Sequence, residues 1–340
     1  MSPAAQKKIL VTGSTGSVGT AACADLVAAG HEVVGIDVRQ PDGDVGYDFR
    51  ACDLTREGAL TAHLEGIDAV LHLAAIPNPR PASPPAIFDL NCAGTFRLFQ
   101  ACADAGIHHV VVASSINAIG YLFGTVPFEI DYLPVDEDHP KTTSDAYSFS
   151  KQVTEDIGVY FARREGIHNI CLRFGAGLAS LADLRGRHGD EFGAAPAALV
   201  EQLGAQSGGS RAEIARMQAV YDECRRGRMF EEGGINVEQP PAERQLMMLR
   251  HNYFSFVELG EACRAMRLSL TTPVEGSHTL FIVDRRNILG LPASLIADVV
   301  YPDVPRRGEL IDDQSLVDWR RARDLLGFES EIPASHVLDS

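Results

Sequence analysis

The segment Tyr147-Ser148-Phe149-Ser150-Lys151 sets a phenol and an ammonium four residues apart, a spacing that on a helix puts both on one face. A phenol of pKa about 10 is a weak base at neutral pH. A neighbouring cation favours its anion and turns it into a proton acceptor. Ser115 precedes Tyr147 by 32 residues and follows the apolar run Val110-Val111-Val112-Ala113, which places a second hydroxyl at the carboxyl edge of a strand, where ligands of open sheets bind. Another constellation lies near the N-terminus. Gly13-Ser14-Thr15-Gly16-Ser17-Val18-Gly19 follows the run Ile9-Leu10-Val11-Thr12 and opens a helix. Glycines permit a tight turn and close backbone approach to a pyrophosphate, while unpaired N–H groups at the positive helix end face the anion. Asp37 closes the next apolar run 18 residues beyond Gly19, where a carboxylate accepts hydrogen bonds from ribose hydroxyls and repels a 2′-phosphate. NAD is therefore the expected dinucleotide, with Arg39 two residues on softening the preference against NADP.

The elements that must position these groups follow from pattern. Short β-branched runs at 9–12, 32–37, 69–73 and 110–113 read as strands buried on both faces, and helical stretches are expected at 18–29, about 56–64 and 85–105. A fifth strand at 170–173 follows a helix beginning near Asp145. This alternation predicts an α/β fold, a Rossmann doubly wound parallel sheet with a smaller C-terminal substrate-binding lobe. Residues 1–177 would form the dinucleotide-binding domain, joined by a later strand and helix near 279–300. Residues 178–275 and 301–340 would form the lobe, with a helical insertion at 183–245. Within the insertion, Ser207-Gly208-Gly209 reads as flexible, and Ser210 with Glu213 matches a capping box. There Ile214, Met217, Val220, Tyr221 and Cys224 form a packing stripe. Thr279 to Val283 reads as a strand, and residues 315–326 as a helix closed by Gly327.

Composition narrows the partners. Thirty Lys and Arg against 46 Asp and Glu leave a net charge of −16 on 340 residues, which argues against nucleic acid as a partner. With 45% hydrophobic residues the chain can bury a core, so disorder is not expected. The seven cysteines are scattered without paired spacing and read as reduced core thiols of a cytoplasmic protein. Neither a signal peptide nor a membrane-spanning run is expected. The eleven histidines show no ligand spacing, so no metal is expected. The cluster Arg225-Arg226-Gly227-Arg228 reads as a solvated helix end.

The spacing Thr12-Gly13-x-x-Gly16-x-x-Gly19 resembles that of the extended short-chain dehydrogenase/reductases, the NAD-dependent epimerase/dehydratase family. Cys52-Asp53-Leu54, His72-Leu73-Ala74-Ala75, Asn91-Cys92-Ala93-Gly94-Thr95 and the closing Leu325-Leu326-Gly327-Phe328 are similar to further segments of that family. The resemblance implies Asp53 and Leu54 at the adenine, and Leu73, Ala74, Ala75 and Asn91 beside the cofactor. It further implies Tyr147 as acid/base, Lys151 as ribose binder and pKa tuner, and Ser115 as orienter of the reacting oxygen. A homodimer through the helices holding 85–105 and 147–165 is implied as well.

Departures from the family pattern bear on the substrate. Where nucleotide-sugar enzymes of the family hold the diphosphate, this chain has Ala176 for an Asn and His251 for an Arg, with Arg250 adjacent. The Asp-Glu pair of dehydratases is Ile116-Asn117 here, which disfavours dehydration. Ala113-Ser114-Ser115 with Ile119-Gly120-Tyr121, Arg173-Phe174-Gly175, and Met247-Met248 ahead of Ser255 resemble the uronate dehydrogenase type. The resemblance implies NAD-dependent oxidation of a small, non-nucleotide, carbohydrate-like substrate, with Asn117, Tyr121, Arg250 and His251 as candidate contacts. The alternative is a sugar or nucleotide-sugar epimerase using the same triad through transient oxidation. A non-catalytic NAD-binding regulator is the third reading.

Overall fold

Seven strands pair in parallel: β1 (Lys8–Thr12), β2 (Glu32–Asp37), β3 (Asp48–Ala51), β4 (Ala69–His72), β5 (His109–Ser115), β6 (His168–Phe174) and β7 (Ser277–Ile282). Their order across the sheet is β3-β2-β1-β4-β5-β6-β7, in a computed structural model that describes residues 6–176, 178, 180, 194–206, 210–232 and 239–330. The chain winds outward from β1 to β3 and then returns to β4 on the other side. The crevice at the carboxyl ends of β1 and β4 is thus the point where winding reverses. Among the described residues the helices are α1 (Ser17–Ala28), α2 (Pro84–Phe88), α3 (Thr95–Asp104), α4 (Ala146–Glu165), α5 (Ala194–Gly204), α6 (Arg211–Arg226), α7 (Pro241–Arg250), α8 (Leu259–Thr271), α9 (Ala293–Val300) and α10 (Arg320–Leu326).

Side chains alternate between the two faces of the sheet as the pleat requires. Ile9 and Val11 pack with Leu26 of α1, Met266 and Leu270 of α8 and Leu326 of α10. Leu10 packs on the opposite face with Phe99 of α3 and Phe161 of α4. A third core, built from residues such as Tyr121, Leu203, Met217, Met247, Phe254 and Ile296, unites α5, α6, α7 and α9 into the lobe.

α8 and α10 pack on the sheet, whereas α9 packs in the lobe. Several expectations are corrected. The short edge strand β3 was not anticipated, since Asp48-Phe49-Arg50-Ala51 lacks an apolar run. Around 56–64 only the 3₁₀ turn Thr61–His63 forms. Asp53 draws the backbone N–H and hydroxyl of Thr55 to its Oδ1 at 3.0 and 2.7 Å, and residues 55–58 are exposed, so nothing there holds a helix. The stretch 85–105 is α2 and α3 joined by a π-helical turn, Asp89–Gly94. The Ser210 capping box does not form: Ser210 donates to the Val299 carbonyl at 2.7 Å, and Glu213 pairs with Arg216. The last helix starts at Arg320, not near 315. Arg225 is not solvated but 1% exposed, its guanidinium donating to the carbonyls of Gly124 (2.7 Å) and Tyr121 (2.6 Å). The 207–209 tripeptide lies outside the described residues.

Candidate active site

The glycine loop leaves β1 and caps nothing with a side chain, so the first N–H groups of α1 are open. Gly13 has φ +71°, and a Cβ there would stand 2.8 Å from the Ala74 backbone. One on Gly19 would stand 2.0 Å from the Gly13 carbonyl oxygen, so this turn accepts no larger residue. Asp37 at the end of β2 accepts from the Thr15 N–H at 3.2 Å and the Arg39 N–H at 3.0 Å, which fixes the loop against the second strand. The hydroxyls of Ser14 and Thr15 are buried without a partner among the described residues. Buried donors in native proteins are nearly always satisfied. Orphaned hydroxyls beside an uncapped helix end therefore fit the anionic bridge of a dinucleotide.

Next to the loop, the ends of β1 and β4 are tied together by a chain of hydrogen bonds. Thr12 Oγ1 accepts from the N–H groups of Leu73 and Ala74, both at 3.1 Å, so its own proton goes to His72 Nδ1 at 2.7 Å. His72 Nε2 then donates to Thr95 Oγ1 (2.9 Å), which donates to the Asn91 carbonyl (2.6 Å). Burial holds the His72 imidazole neutral, with its pKa at about 3. Asn91 sits in the π-helical turn with its amide engaged by Ile76 (2.8 and 3.0 Å) and Ser150 Oγ (2.9 Å), which links the strand β4 exit to α4. Ala75 follows at the same strand exit, Leu54 is buried, and Asp53 carries the Thr55 turn.

α4 begins where Asp145 accepts from the Ser148 N–H at 2.8 Å, and its first two turns present Tyr147 and Lys151. Lys151 Nζ donates to the Ala113 carbonyl at 2.7 Å and lies 5.9 Å from the centre of the Tyr147 ring. Burial lowers its pKa to about 8. Burial also raises the Tyr147 phenol to about 12, opposed by a hydrogen bond with Ser115. Ser115 Oγ in turn accepts from the Asn117 N–H at 3.1 Å. Beneath the triad lies a buried charge network. Arg173 holds Glu155 with two bonds of 2.8 and 2.9 Å, while Ser114 (2.7 Å) and Lys141 (2.9 Å) complete the carboxylate's shell. Burial raises Glu155, yet the two cations outweigh it and keep the carboxyl ionised.

A cavity of about 900 Å³ runs from Ser17 and Val18 past Ser115, Asn117 and Tyr147 to α7. One cavity is thus lined by Ser17 and Val18 from the end of the glycine loop and by Ser115, Asn117 and Tyr147, with Lys151 next to Tyr147 but off the lining. Ala176, where the family's nucleotide-sugar enzymes carry an Asn, lines the cavity too. The other candidate contacts are placed elsewhere. Tyr121 is 1% exposed between Tyr253 and the His251 ring, whose centre is 4.5 Å away. His251 stacks on Tyr221 at 4.1 Å, and its Nδ1 donates to the Met247 carbonyl at 2.6 Å. Arg250 is buried beneath Tyr301 and donates to the Val300 carbonyl and to Gln218. These three pack inside the lobe and are absent from the described cavity lining. The wall there is instead formed by Arg244, Gln245, Met248, Asn252 and Ser255. Of these only Met248 and Ser255 had a signal in the sequence, the Met-Met and serine echo; Arg244 looks like any helical arginine. Among the described residues no cluster of three potential metal ligands occurs, and no helix is long and apolar enough to cross a membrane.

Comparison with known proteins places this site in context. Residues 9–181 match the model of the NAD dependent epimerase/dehydratase family. Over 174 residues the chain is 33% identical to an L-arabinose 1-dehydrogenase (NAD(P)(+)) of Haloferax volcanii, covering 49% of this chain and 66% of that protein. It is 28% identical over 171 residues to a uronate dehydrogenase of Pseudomonas syringae pv. tomato, covering 50% and 59%. The chain thus spans less than two thirds of the length of these relatives. A short-chain dehydrogenase/reductase superfamily protein from Agrobacterium tumefaciens, solved with bound NAD, shares the fold with a TM-score of 0.61 at 22% identity, over 98% of this chain and 95% of that one.

Proposed function

The chain belongs to the NAD dependent epimerase/dehydratase family, and on that premise we propose that it is an NAD-dependent oxidoreductase that oxidises one hydroxyl of a small, non-nucleotide sugar or sugar acid. The observation that carries this reading is the meeting of Ser115, Tyr147 and the glycine-loop end of α1 along one cavity. The loop with its orphaned Ser14 and Thr15 hydroxyls would hold the pyrophosphate, Asp37 the adenosine ribose, and Lys151 the second ribose. When bound, oxidised NAD supplies the hydride acceptor and a positive charge.

Tyr147 takes the proton of the substrate hydroxyl as the C–H bond yields its hydrogen and electron pair, so a carbonyl replaces the alcohol. A phenol at about 12 needs help to do this, and Lys151, still ammonium below its pKa of about 8, provides it at short range. Ser115 orients the reacting oxygen, held in place by the Asn117 N–H. The packing of His251 away from the cavity and the alanine at 176 support a non-nucleotide substrate, because neither offers a charge to a sugar-bound diphosphate. Exposed Phe88, Phe96, Phe149 and Tyr160 on α2 to α4 support a homodimer through these helices, and seven free thiols support a cytoplasmic setting.

The test is a panel of free aldoses and uronates with NAD. Reduced nicotinamide should appear with at least one sugar and vanish in Tyr147→Phe. Rearranged sugar without reduced nicotinamide, with NAD retained on the protein, would mean an epimerase. NAD binding with no turnover of any sugar would leave the regulator.

A further inference from the structure

The wall opposite the triad runs against the charge of the rest of the chain. In a protein of net charge −16, the described residues lining the cavity include two arginines, Arg80 and Arg244, and no aspartate or glutamate. Arg80 is exposed. Arg244 is half-buried on α7, and no hydrogen bond or ion pair engages its guanidinium among the described residues. Its surroundings sharpen the contrast. The preceding Glu243 is taken by Arg216 at 2.8 Å. Arg225 and Arg250 are turned away from the cavity, Arg225 donating to the carbonyls of Gly124 and Tyr121 and Arg250 to the Val300 carbonyl and Gln218. Arg244 is also the fourth residue of its helix, counted from Pro241, where the positive end of the dipole disfavours a cation. Local helix physics therefore gives no reason for its charge. The next residue, Gln245, faces the same cavity with its amide oxygen buried and unpartnered.

A free guanidinium beside an apolar wall of Met248, Leu249 and Phe230 is a planar fork, and it matches a planar carboxylate with two parallel bonds. A phosphate ester, with its second charge, would find only the exposed Arg80 as further support. We propose that Arg244 determines specificity by pairing with the carboxylate of a sugar acid whose reacting hydroxyl lies at Tyr147 and Ser115. Gln245 Oε1 accepts from another hydroxyl of the same molecule. This assignment rests on the sugar-oxidation reading above and makes its substrate anionic.

The experiment uses the NAD-loaded protein and Arg244→Gln, which keeps hydrogen-bonding capacity and removes the charge. Binding of D-glucuronate, D-galacturonate, D-glucose, D-galactose, D-glucose 6-phosphate and UDP-glucose is measured by calorimetry, and oxidation by reduced nicotinamide. A uronate should bind more tightly than its neutral aldose, and the variant should lower that preference by roughly 10- to 100-fold through KM, with kcat little moved. NAD affinity, read separately, should stay within about twofold. Uronate binding that is lost in the variant without any reduced nicotinamide would uphold the anion site while sinking the oxidation reading. Tighter binding of the neutral aldose, of the phosphate ester or of UDP-glucose would overturn the assignment. A loss of NAD affinity in the variant would overturn it too, by giving Arg244 to the cofactor.

Discussion

Replacing Lys151 with methionine should make the folded protein more stable at neutral pH while destroying turnover. The ammonium is 5% exposed and its pKa falls from an ordinary 10.5 to about 8, chiefly because burial disfavours charge. At about 1.36 kcal/mol per tenfold change in proton affinity, that difference corresponds to roughly 3 kcal/mol of burial cost at pH 7. Methionine fills nearly the same space, but it deserts the Ala113 carbonyl, which accepts the Nζ bond at 2.7 Å. An unpaired buried acceptor costs about 1 to 2 kcal/mol, so the variant should gain on the order of 1 to 2 kcal/mol net. The pH dependence identifies the cause. Between about pH 8 and 10.5 the unfolded chain still binds the proton that the folded protein has released, so wild-type stability rises with pH through that window. The advantage of Lys151→Met should shrink over the same range and end as a deficit of about 1 to 2 kcal/mol, the lost hydrogen bond alone. Urea unfolding at about pH 7 and about pH 9.5, with unchanged slopes, reads this directly. Sugar oxidation should fall by at least roughly 100-fold. A variant less stable than wild type at pH 7, or a wild type whose stability is flat above pH 8, would mean that the Glu155 network fully offsets the burial and would refute the reasoning.

Other consequences follow from the same site. Gly19→Ala drives a Cβ to 2.0 Å from the Gly13 carbonyl oxygen, and NAD affinity measured by titration should fall by roughly 100-fold or more. Glu155→Gln strips the buried Arg173 of its carboxylate and should lower stability by about 3 to 5 kcal/mol in urea unfolding; adding Arg173→Met should restore much of the loss. Asp37→Ser removes the charge that opposes a 2′-phosphate, with Arg39 adjacent. The ratio of kcat/KM for NADP over NAD should rise at least about tenfold, even as NAD binding weakens through the freed Thr15 N–H.

What could be read from the sequence was whatever local periodicity or short spacing controls. The glycine loop needed only β1, its turn and α1, and the Tyr147–Lys151 pair needed only the helix that Asp145 opens. Ser115 was legible because the strand before it is a plain apolar run. Where local signals competed with distant partners, they lost. The Ser210 hydroxyl reaches Val299, 89 residues away, instead of capping its own helix. The stretch near 56–64 buries only Leu60 and Leu64, while the Asp53–Thr55 turn takes its first residues out of a helix. β3 is held by pairing with β2, which its own residues do not announce.

The arginines show most clearly why function here had to wait for the fold. Arg173, Arg225, Arg244 and Arg250 each sit near the end of a strand or within a turn or so of a helix end, and in sequence nothing separates them. Distant atoms do. Arg173 meets Glu155 across 18 residues, Arg225 meets Gly124 and Tyr121 across more than 100, and Arg250 meets Val300 across 50. Each contact consumes donors that a substrate would otherwise use, and Arg250 and His251 pack within the lobe, off the described cavity lining. Subtracting the engaged cations leaves Arg244 as the half-buried guanidinium on the described cavity wall that is still open to an anion. A −16 chain admits a dinucleotide through backbone N–H groups that carry no formal charge. It would admit a second anion only where one side-chain cation has been kept free of the 46 carboxylates around it.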